Sequence, residues 1–488
     1  MIQSNRADPQ SPQFRVLSDE QCSRLFDAAK ECLQRVGVLV QNSAARDLLL
    51  RHGATAEDAI VHIPAKLVEN AIASTPHEFT VWGRDDANAM QISAGRVHFG
   101  PGPTCTYFVD PETGQRRKAH RGDAGLTALV CDALPNLDYV MGLSLFDDVT
   151  PVLSSVYEFA EELANTAKPI VAWANSPAAF MDIYRMARAV AGGDAALRAK
   201  PPYAYFTTYE SPLKLADAPL ENLMQAAALG VPGICLGGPT VGLESPFTGA
   251  SALVLYLSAA LAALTVVQLC QPGASMAIGG LPSMMDLRTG RPAYGSPEAS
   301  LHTAAAADLA HFLGIPFMGT AAASEAKRLD AQAGTEAALQ VILSALSGAS
   351  LVHDVGFLDC ADIGSLEYLV LADEIIGMAR RVMRGIQVEP DTIMLDLIAQ
   401  VGPGGLFLRQ GKSSSMWRQE VWMPTVLDRN PYATWERQGA LSTADVVGAK
   451  LKRILTTHHP LPLPVDVSRE IEKTLALAEN REGQKQAR

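Results

Sequence analysis

An α/β chain closed as a (β/α)8 TIM-type barrel is the fold class this sequence predicts, and three observations predict it. Short apolar runs of strand length alternate with stretches whose apolar residues recur at i, i+3, i+4 and i+7, the pattern of parallel strands joined by helices. Eight such runs fall at 97–99 or 106–109, 137–145, 169–174, 203–207, 233–236, 275–278, 315–318 and 351–352, the number that closes a barrel. No G-x-G-x-x-G follows any of them, so the competing doubly wound sheet lacks its phosphate-binding turn.

The elements follow in order. Ser18-Asp19-Glu20-Gln21 has capping-box spacing and opens a helix with Leu25, Ala29, Cys32, Leu33 and Val36 on its apolar face, ended by Gly37. Residues 1–13 ahead of it read as disordered. A second helix over 44–51 stops at Gly53, and Pro64 opens a third over 64–74. With short strand patterns at 79–82 and 90–92, these make an α-rich N-terminal unit over 1–92, packed on the barrel. The barrel domain is assigned to 93–384. One of its helices carries Val156, Phe159, Ala160 and Leu163 on a face, and another carries Leu339, Ile342, Leu343 and Leu346. The stretch 250–269 is long and apolar enough to span a bilayer. It lies between two strand runs, so it reads as a buried barrel helix, and no membrane is expected. A helix after Gly364 runs to Arg384, with Arg380, Arg381 and Arg384 at the end where cations favour the dipole. A helical extension over 385–488 holds the Pro403-Gly404-Gly405 loop, helices over 441–456 and 466–480, and a stiff connector with Pro460, Pro462 and Pro464. Its 415–438 stretch, with Trp417, Trp422, Tyr432 and Trp435, is a candidate interface of a homo-oligomer, the common default for soluble proteins, or else packs internally.

Composition excludes several functions. The 488 residues carry 40 Lys+Arg against 52 Asp+Glu, net charge −12, so no basic surplus exists to displace phosphate counterions and no nucleic-acid partner is expected. The seven cysteines are scattered without C-x-x-C spacing, which argues for buried reduced thiols and a cytoplasmic location. Ten histidines form neither H-x-x-H nor H-E-x-x-H, so no directly bound metal is expected. The glycine pairs Gly237-Gly238 and Gly279-Gly280 and the run from Gly402 to Gly405 read as tight turns or as places where a bulky cofactor approaches closely.

Barrel active sites lie at the C-terminal ends of the strands. The stretch 316–359 is strand, polar loop, helix, strand and polar loop, and its loops hold the densest ionisable groups of the C-terminal half: Glu325, Lys327, Arg328, Asp330, His353 and Asp354.

A set of short motifs, in order, carries a resemblance. They include Trp82-Gly83-Arg84-Asp85, His98-Phe99-Gly100-Pro101-Gly102, Asp110-Pro111-Glu112-Thr113-Gly114, Asp132-Ala133-Leu134-Pro135-Asn136, Asn165-Thr166-Ala167-Lys168-Pro169, Asp330-Ala331-Gln332-Ala333-Gly334 and Gly402-Pro403-Gly404-Gly405. Over nearly its whole length the chain resembles the trimethylamine methyltransferase (MttB-like) superfamily. The resemblance implies a (β/α)8 barrel that moves a methyl group from a small methylated amine to the cobalt of a corrinoid. No cobalamin-binding D-x-H-x-x-G occurs here, so the corrinoid is expected on a separate partner protein. The founding enzymes use pyrrolysine, absent from this sequence; members without it resemble glycine betaine methyltransferases. Two segments depart from the family pattern: Ser324-Glu325-Ala326-Lys327 stands where Thr-Asp-Ala-Lys is usual, and 411–416 has Lys412 and three serines where histidines are usual.

The missing pyrrolysine bears on the substrate. A quaternary ammonium already has a neutral amine as leaving group, so attack by Co(I) needs alignment and exclusion of water but no general acid. A free tertiary amine would have to leave as an amide anion unless protonated or captured. A quaternary amine of the glycine betaine kind is therefore the expected methyl donor, with a different methyl donor or a non-catalytic quaternary-amine-binding protein as the alternatives. Such a site needs aromatic faces for the cation and a donor for any carboxylate. Candidates for substrate binding are Trp173, Tyr205, Tyr209, Glu210, His353 and Phe357; Phe99, Tyr107, Phe146, Asn175, Glu325, Lys327 and Asp330 are further contacts to substrate or corrinoid. Core packing, for the aromatics, and loop ion pairs, for the charged residues, are the competing roles.

Overall fold

The computed structural model describes residues 12–409, 411 and 416–486; of the expected disordered lead, residues 1–11 lie outside these. Seven parallel strands form one curled sheet: β1 (His98–Phe99), β2 (Ile170–Ala172), β3 (Tyr203–Thr208), β4 (Gly233–Gly237), β5 (Met276–Gly280), β6 (Phe317–Thr320) and β7 (Leu351–His353). β7 pairs back onto β1 through Val352 and Phe99. The gap between β1 and β2 is filled by the extended segment 138–141. Its Asp138 amide donates to Phe99 O at 2.7 Å, and Val140 bridges Ile170, with the Val171 amide donating to Val140 O at 2.8 Å. The barrel is thus closed by eight staves, of which one is held by three backbone bonds, one to the β1 side and two to the β2 side. The run at 106–109 is not a stave. Tyr107–Val109 belongs to a small sheet with Arg116–Lys118, Ile363–Gly364 and Phe357–Leu358.

A helix follows each stave: α1 (Arg121–Ala133), α2 (Ser154–Asn165), α3 (Pro177–Ala191), α4 (Asp217–Leu229), α5 (Gly249–Cys270), α6 (Pro297–Phe312), α7 (Ala331–Ser347) and α8 (Leu366–Met383). Side chains alternate across each strand with a period of two. Val171, Ala204, Phe206, Ile234, Leu236, Ala277, Met318 and Leu351 fill the barrel, with Trp173 packed on them. The odd positions of β3 point outward, where Tyr203 meets Phe159 at 5.4 Å and Tyr205 meets Phe180 at 5.1 Å between ring centroids. α5 is the bilayer-length stretch; most of it is buried inside the protein, against the helix Asp19–Arg35 and the barrel strands.

The N-terminal unit is less α-rich than its pattern predicts. The Ser18 capping box forms, and helices run over Ser43–Arg51 and Ala65–Ser74. Three further strands, Val38–Val40, Thr55–Glu57 and Ile60–His62, are too short for a period to register in sequence. Val38–Val40 pairs in parallel with Lys214–Leu215 of the barrel, which stitches the two units together. The hairpin Glu78–Val81 with Met90–Ser93 sends Phe79, Val81, Met90 and Ile92 into the inner cluster and plugs the N-terminal end of the barrel.

In the extension, the helix Thr443–Thr457 packs on α8 and α1, and Val465–Gln486 lies along α3 and α2. Trp422 packs internally, close to Gly377, whereas Trp417 and Tyr432 are exposed.

Candidate functional site

A cavity of about 730 Å³ opens at the C-terminal ends of the first four staves. Pro103 and Thr104 come from the loop after β1, and Leu145, Phe146 and Asp147 from the loop after the 138–141 segment. Trp173 to Asn175 follow β2, and Phe206 to Thr208 end β3. This is the face where a barrel carries its chemistry, and the wall is mostly apolar and aromatic, as small-ligand sites are. Of the expected residues, Phe146, Trp173, Asn175 and Tyr205 are brought together here. Asn175 is fixed by its own loop: its Nδ2 donates to Pro151 O at 2.6 Å and to Ser154 Oγ at 3.0 Å. Tyr205 contributes to the wall, but its ring turns into the helix layer.

His353 is buried at the end of β7, on the inner side, with its ring centroid 6.1 Å from that of Phe206. Phe206, itself on the cavity wall, packs beside it. His353 Nδ1 lies 2.5 Å from Asp354 Oδ1, out of line for a hydrogen bond, and neither ring nitrogen has a hydrogen-bond partner among the described residues. Asp354 is held in turn: Thr320 Oγ1 donates to its Oδ2 at 2.8 Å. Its φ of +69° is a left-handed backbone conformation unfavourable for a residue with a side chain. Gly102 faces it, and a Cβ there would sit 2.5 Å from Asp354 Oδ1.

The other candidates are placed elsewhere. Tyr209 is buried in the outer layer, its hydroxyl donating to Tyr256 O at 3.3 Å. Phe99 and Phe357 are fully buried, Phe99 in that outer layer and Phe357 beneath Gly102. Glu210 is a surface acid paired with Lys214 at 2.5 Å. Tyr107 does face a cation, but the chain's own: the Arg116 guanidinium is 3.5 Å and the Lys118 ammonium 4.3 Å from its ring. Asp330 caps α7, accepting from the amides of Gln332 and Ala333. Lys327 is exposed and pairs with Asp359 at 3.3 Å. Glu325 accepts the Gly295 amide with both oxygens, and a Cβ at Gly295 would lie 2.3 Å from its Oε2. The unusual glutamate of this motif is therefore accommodated by a glycine opposite it. The other unusual segment, including Lys412, lies outside the described residues apart from its ends at Gly411 and Met416.

Two acids that strand-end reasoning missed stand directly behind the cavity. Glu158 and Glu162, one turn apart on α2, are both buried. Glu158 Oε1 accepts the Trp173 indole N–H at 2.7 Å, and Glu162 Oε1 accepts the Gly142 amide at 2.6 Å. Burial drives both carboxyls above the usual carboxylate range. The legible signal was two acids at i, i+4 on a helix whose neighbouring positions are apolar.

The glycine pairs are taken up by packing. A Cβ at Gly237 would meet the Tyr209 ring, and one at Gly238 the Leu281 backbone, each at 2.5 Å. They hold the barrel's own atoms close and clear no space for a cofactor. Among the described residues no group of three or more His, Cys, Asp or Glu side chains is arranged to hold a metal ion.

Comparison with known proteins matches residues 3–482 to the family described as trimethylamine methyltransferase (MTTB). The trimethylamine methyltransferase MttB2 of Methanosarcina mazei is 30% identical over 469 residues, covering 94% of each chain. The glycine betaine methyltransferase of Desulfitobacterium hafniense is 27% identical over 467 residues, covering 95% of this chain and 97% of that one. Among solved structures, the monomethylamine methyltransferase MtmB of Methanosarcina barkeri superposes with a TM-score of 0.53 at 12% identity, over 96% of this chain and 88% of its own, a likeness of fold.

Proposed function

The chain belongs to the trimethylamine methyltransferase family, and from that premise we propose that it moves a methyl group from a quaternary amine of the glycine betaine kind to the Co(I) of a corrinoid held by a separate protein. The observation that carries this reading is the cavity wall. Trp173, Phe206 and Phe146 meet at the barrel mouth, and aromatic faces in a desolvated pocket attract a quaternary ammonium by about 2 kcal/mol or more. No proton donor is needed at the nitrogen, since the amine leaves neutral. The chain's residues have to hold the N–CH3 bond in line with the open mouth and keep water from the reacting carbon.

When docked, the corrinoid supplies the nucleophile. The fit favours a carried group over a resident one. The cavity is of small-ligand size, the glycines at the strand ends are filled by the barrel's own packing, and the mouth is open on the side from which a carrier would approach. His353 is the donor for a substrate carboxylate in this reading, reached by a shift of the Phe206 ring. The cysteines described are all free, in keeping with a reducing cytoplasmic setting.

The test is spectroscopic. Purified protein is mixed with a Co(I) corrinoid protein, and methylated amines are added one at a time. Loss of the Co(I) absorbance with a quaternary amine and not with trimethylamine is the expected result. Loss with trimethylamine alone overturns the substrate class, and silence across the panel beside a working control enzyme overturns the reaction.

A further inference from the structure

The proposed reaction leaves Glu158 and Glu162 without a task, and their setting is unusual. Both point from α2 toward the barrel and are buried. The backbone is moulded to them: Gly142 has φ +59°, and a Cβ there would lie 2.8 Å from the Glu158 carboxyl carbon. Among the described residues no ion pair reaches either acid. From α1 the facing group is the Cys131 thiol, and from the strand side it is the Trp173 indole. The cations of this layer are engaged elsewhere: Arg121 with Glu161, Arg481 with Asp182, and the Lys168 ammonium with the carbonyls of Cys131, Leu134 and Leu137. On α2 itself the Tyr157 hydroxyl is bound to Glu479. Two neighbouring carboxyls in a water-poor layer without a counter-ion cannot both ionise, so they titrate as a pair. The cavity lies on the other side of Trp173, and Ser154, one turn before Glu158, is on its wall.

We propose that this pair is the counter-ion device of the cavity: a quaternary ammonium settling against Trp173 expels a proton from the pair, and the resulting Glu158 carboxylate balances the ligand's charge. The balance is simple. One positive charge enters, one O–H bond breaks and its proton passes to the solvent. The indole N–H, bonded to a carboxylate instead of an acid, leaves more electron density on the ring face, which strengthens its hold on the cation. The inference rests on the cavity taking a cation, and the experiment separates the two.

Titration calorimetry of the full chain with tetramethylammonium chloride and with glycine betaine, in buffers of different ionisation heat, counts protons released per ligand. The control ligand is 3,3-dimethylbutyrate, which has the shape of betaine without its positive charge. The expected result is proton release with both cations and none with the control. Affinity should rise as pH rises from the ordinary carboxylate range toward the pair's elevated one, by at most about tenfold per pH unit for one linked proton. Glu158→Gln keeps the shape and an acceptor for the indole, and should abolish the release and flatten the pH profile. Glu162→Gln should keep the release, because burial and not the neighbour's charge holds the Glu158 carboxyl up, Glu162 being neutral when Glu158 ionises; it also serves if the first variant fails to fold. If neither cation binds the wild-type protein, the cation reading of the cavity is overturned and this inference with it. Binding without proton release, equal release with the control ligand, or release that persists in Glu158→Gln overturns the inference alone.

Discussion

Trp173 joins three features of the mouth: it closes the top of the inner cluster, lines the cavity and bonds a buried acid. Its replacement is therefore a sharp test at the residue scale. Trp173→Leu keeps apolar bulk but removes the π face, and is expected to weaken quaternary ammonium binding by roughly 30-fold, equivalent to about 2 kcal/mol, while affinity for 3,3-dimethylbutyrate changes little. Calorimetric titration measures both. His353 allows the opposite test. A buried group with unmet hydrogen-bonding capacity weakens a fold, so His353→Leu should leave the thermal unfolding temperature unchanged or raised, while methyl transfer from a carboxylate-bearing substrate falls at least tenfold. Lower stability with unchanged turnover would make His353 a packing residue. At this scale the sequence was half legible. Trp173 and Asn175 could be placed at the strand ends, where the cavity lies, because they directly follow a strand. Tyr205 and Tyr209 share that neighbourhood but fall on the outward parity of their strand, which a one-residue uncertainty in strand register hides. Glu158 belongs to a helix, where an acid ordinarily signals solvent.

Among the elements, α7 owes its start to Asp330. The carboxylate accepts two amides of the first turn, and Asp330→Ala is expected to cost about 1 kcal/mol, within the 0.5–2 range for such caps. Denaturant titration reads this as a lower midpoint with unchanged slope, and ligand affinity should stay the same if the residue is a cap and nothing more. Gly142→Ala should be worse. The added methyl meets the Glu158 carboxyl, and the positive φ is itself unfavourable for alanine. Strands with several apolar residues and helices with a clear period were readable at this scale. The 138–141 stave lies inside the apolar run at 137–145 and was readable too; the three-residue strands of the N-terminal unit were not, because they are defined by partners distant in sequence and not by any local period.

For the molecule as a whole, the buried acids set a pH dependence. Glu158 and Glu162 titrate higher in the folded chain than unfolded, so between the ordinary carboxylate pKa and their raised ones the native state binds more protons. Stability must then fall as pH rises through that window, by up to about 1.4 kcal/mol per pH unit for each proton. Glu158→Gln should flatten that slope in chemical denaturation measured across pH. The barrel order was the most legible feature of all, since an alternation spread over so many elements survives errors in any one of them. The hairpin that seals the lower end of the barrel carries one more consequence, for kinetics. With Phe79, Val81, Met90 and Ile92 stopping that end, the ligand of the proposed reaction would enter and leave by the mouth, the side on which the proposed carrier would dock. The amine has to load first and its demethylated product has to wait for the carrier to depart. Initial-rate patterns should therefore show compulsory order, with the demethylated amine competing against the substrate amine and never against the carrier.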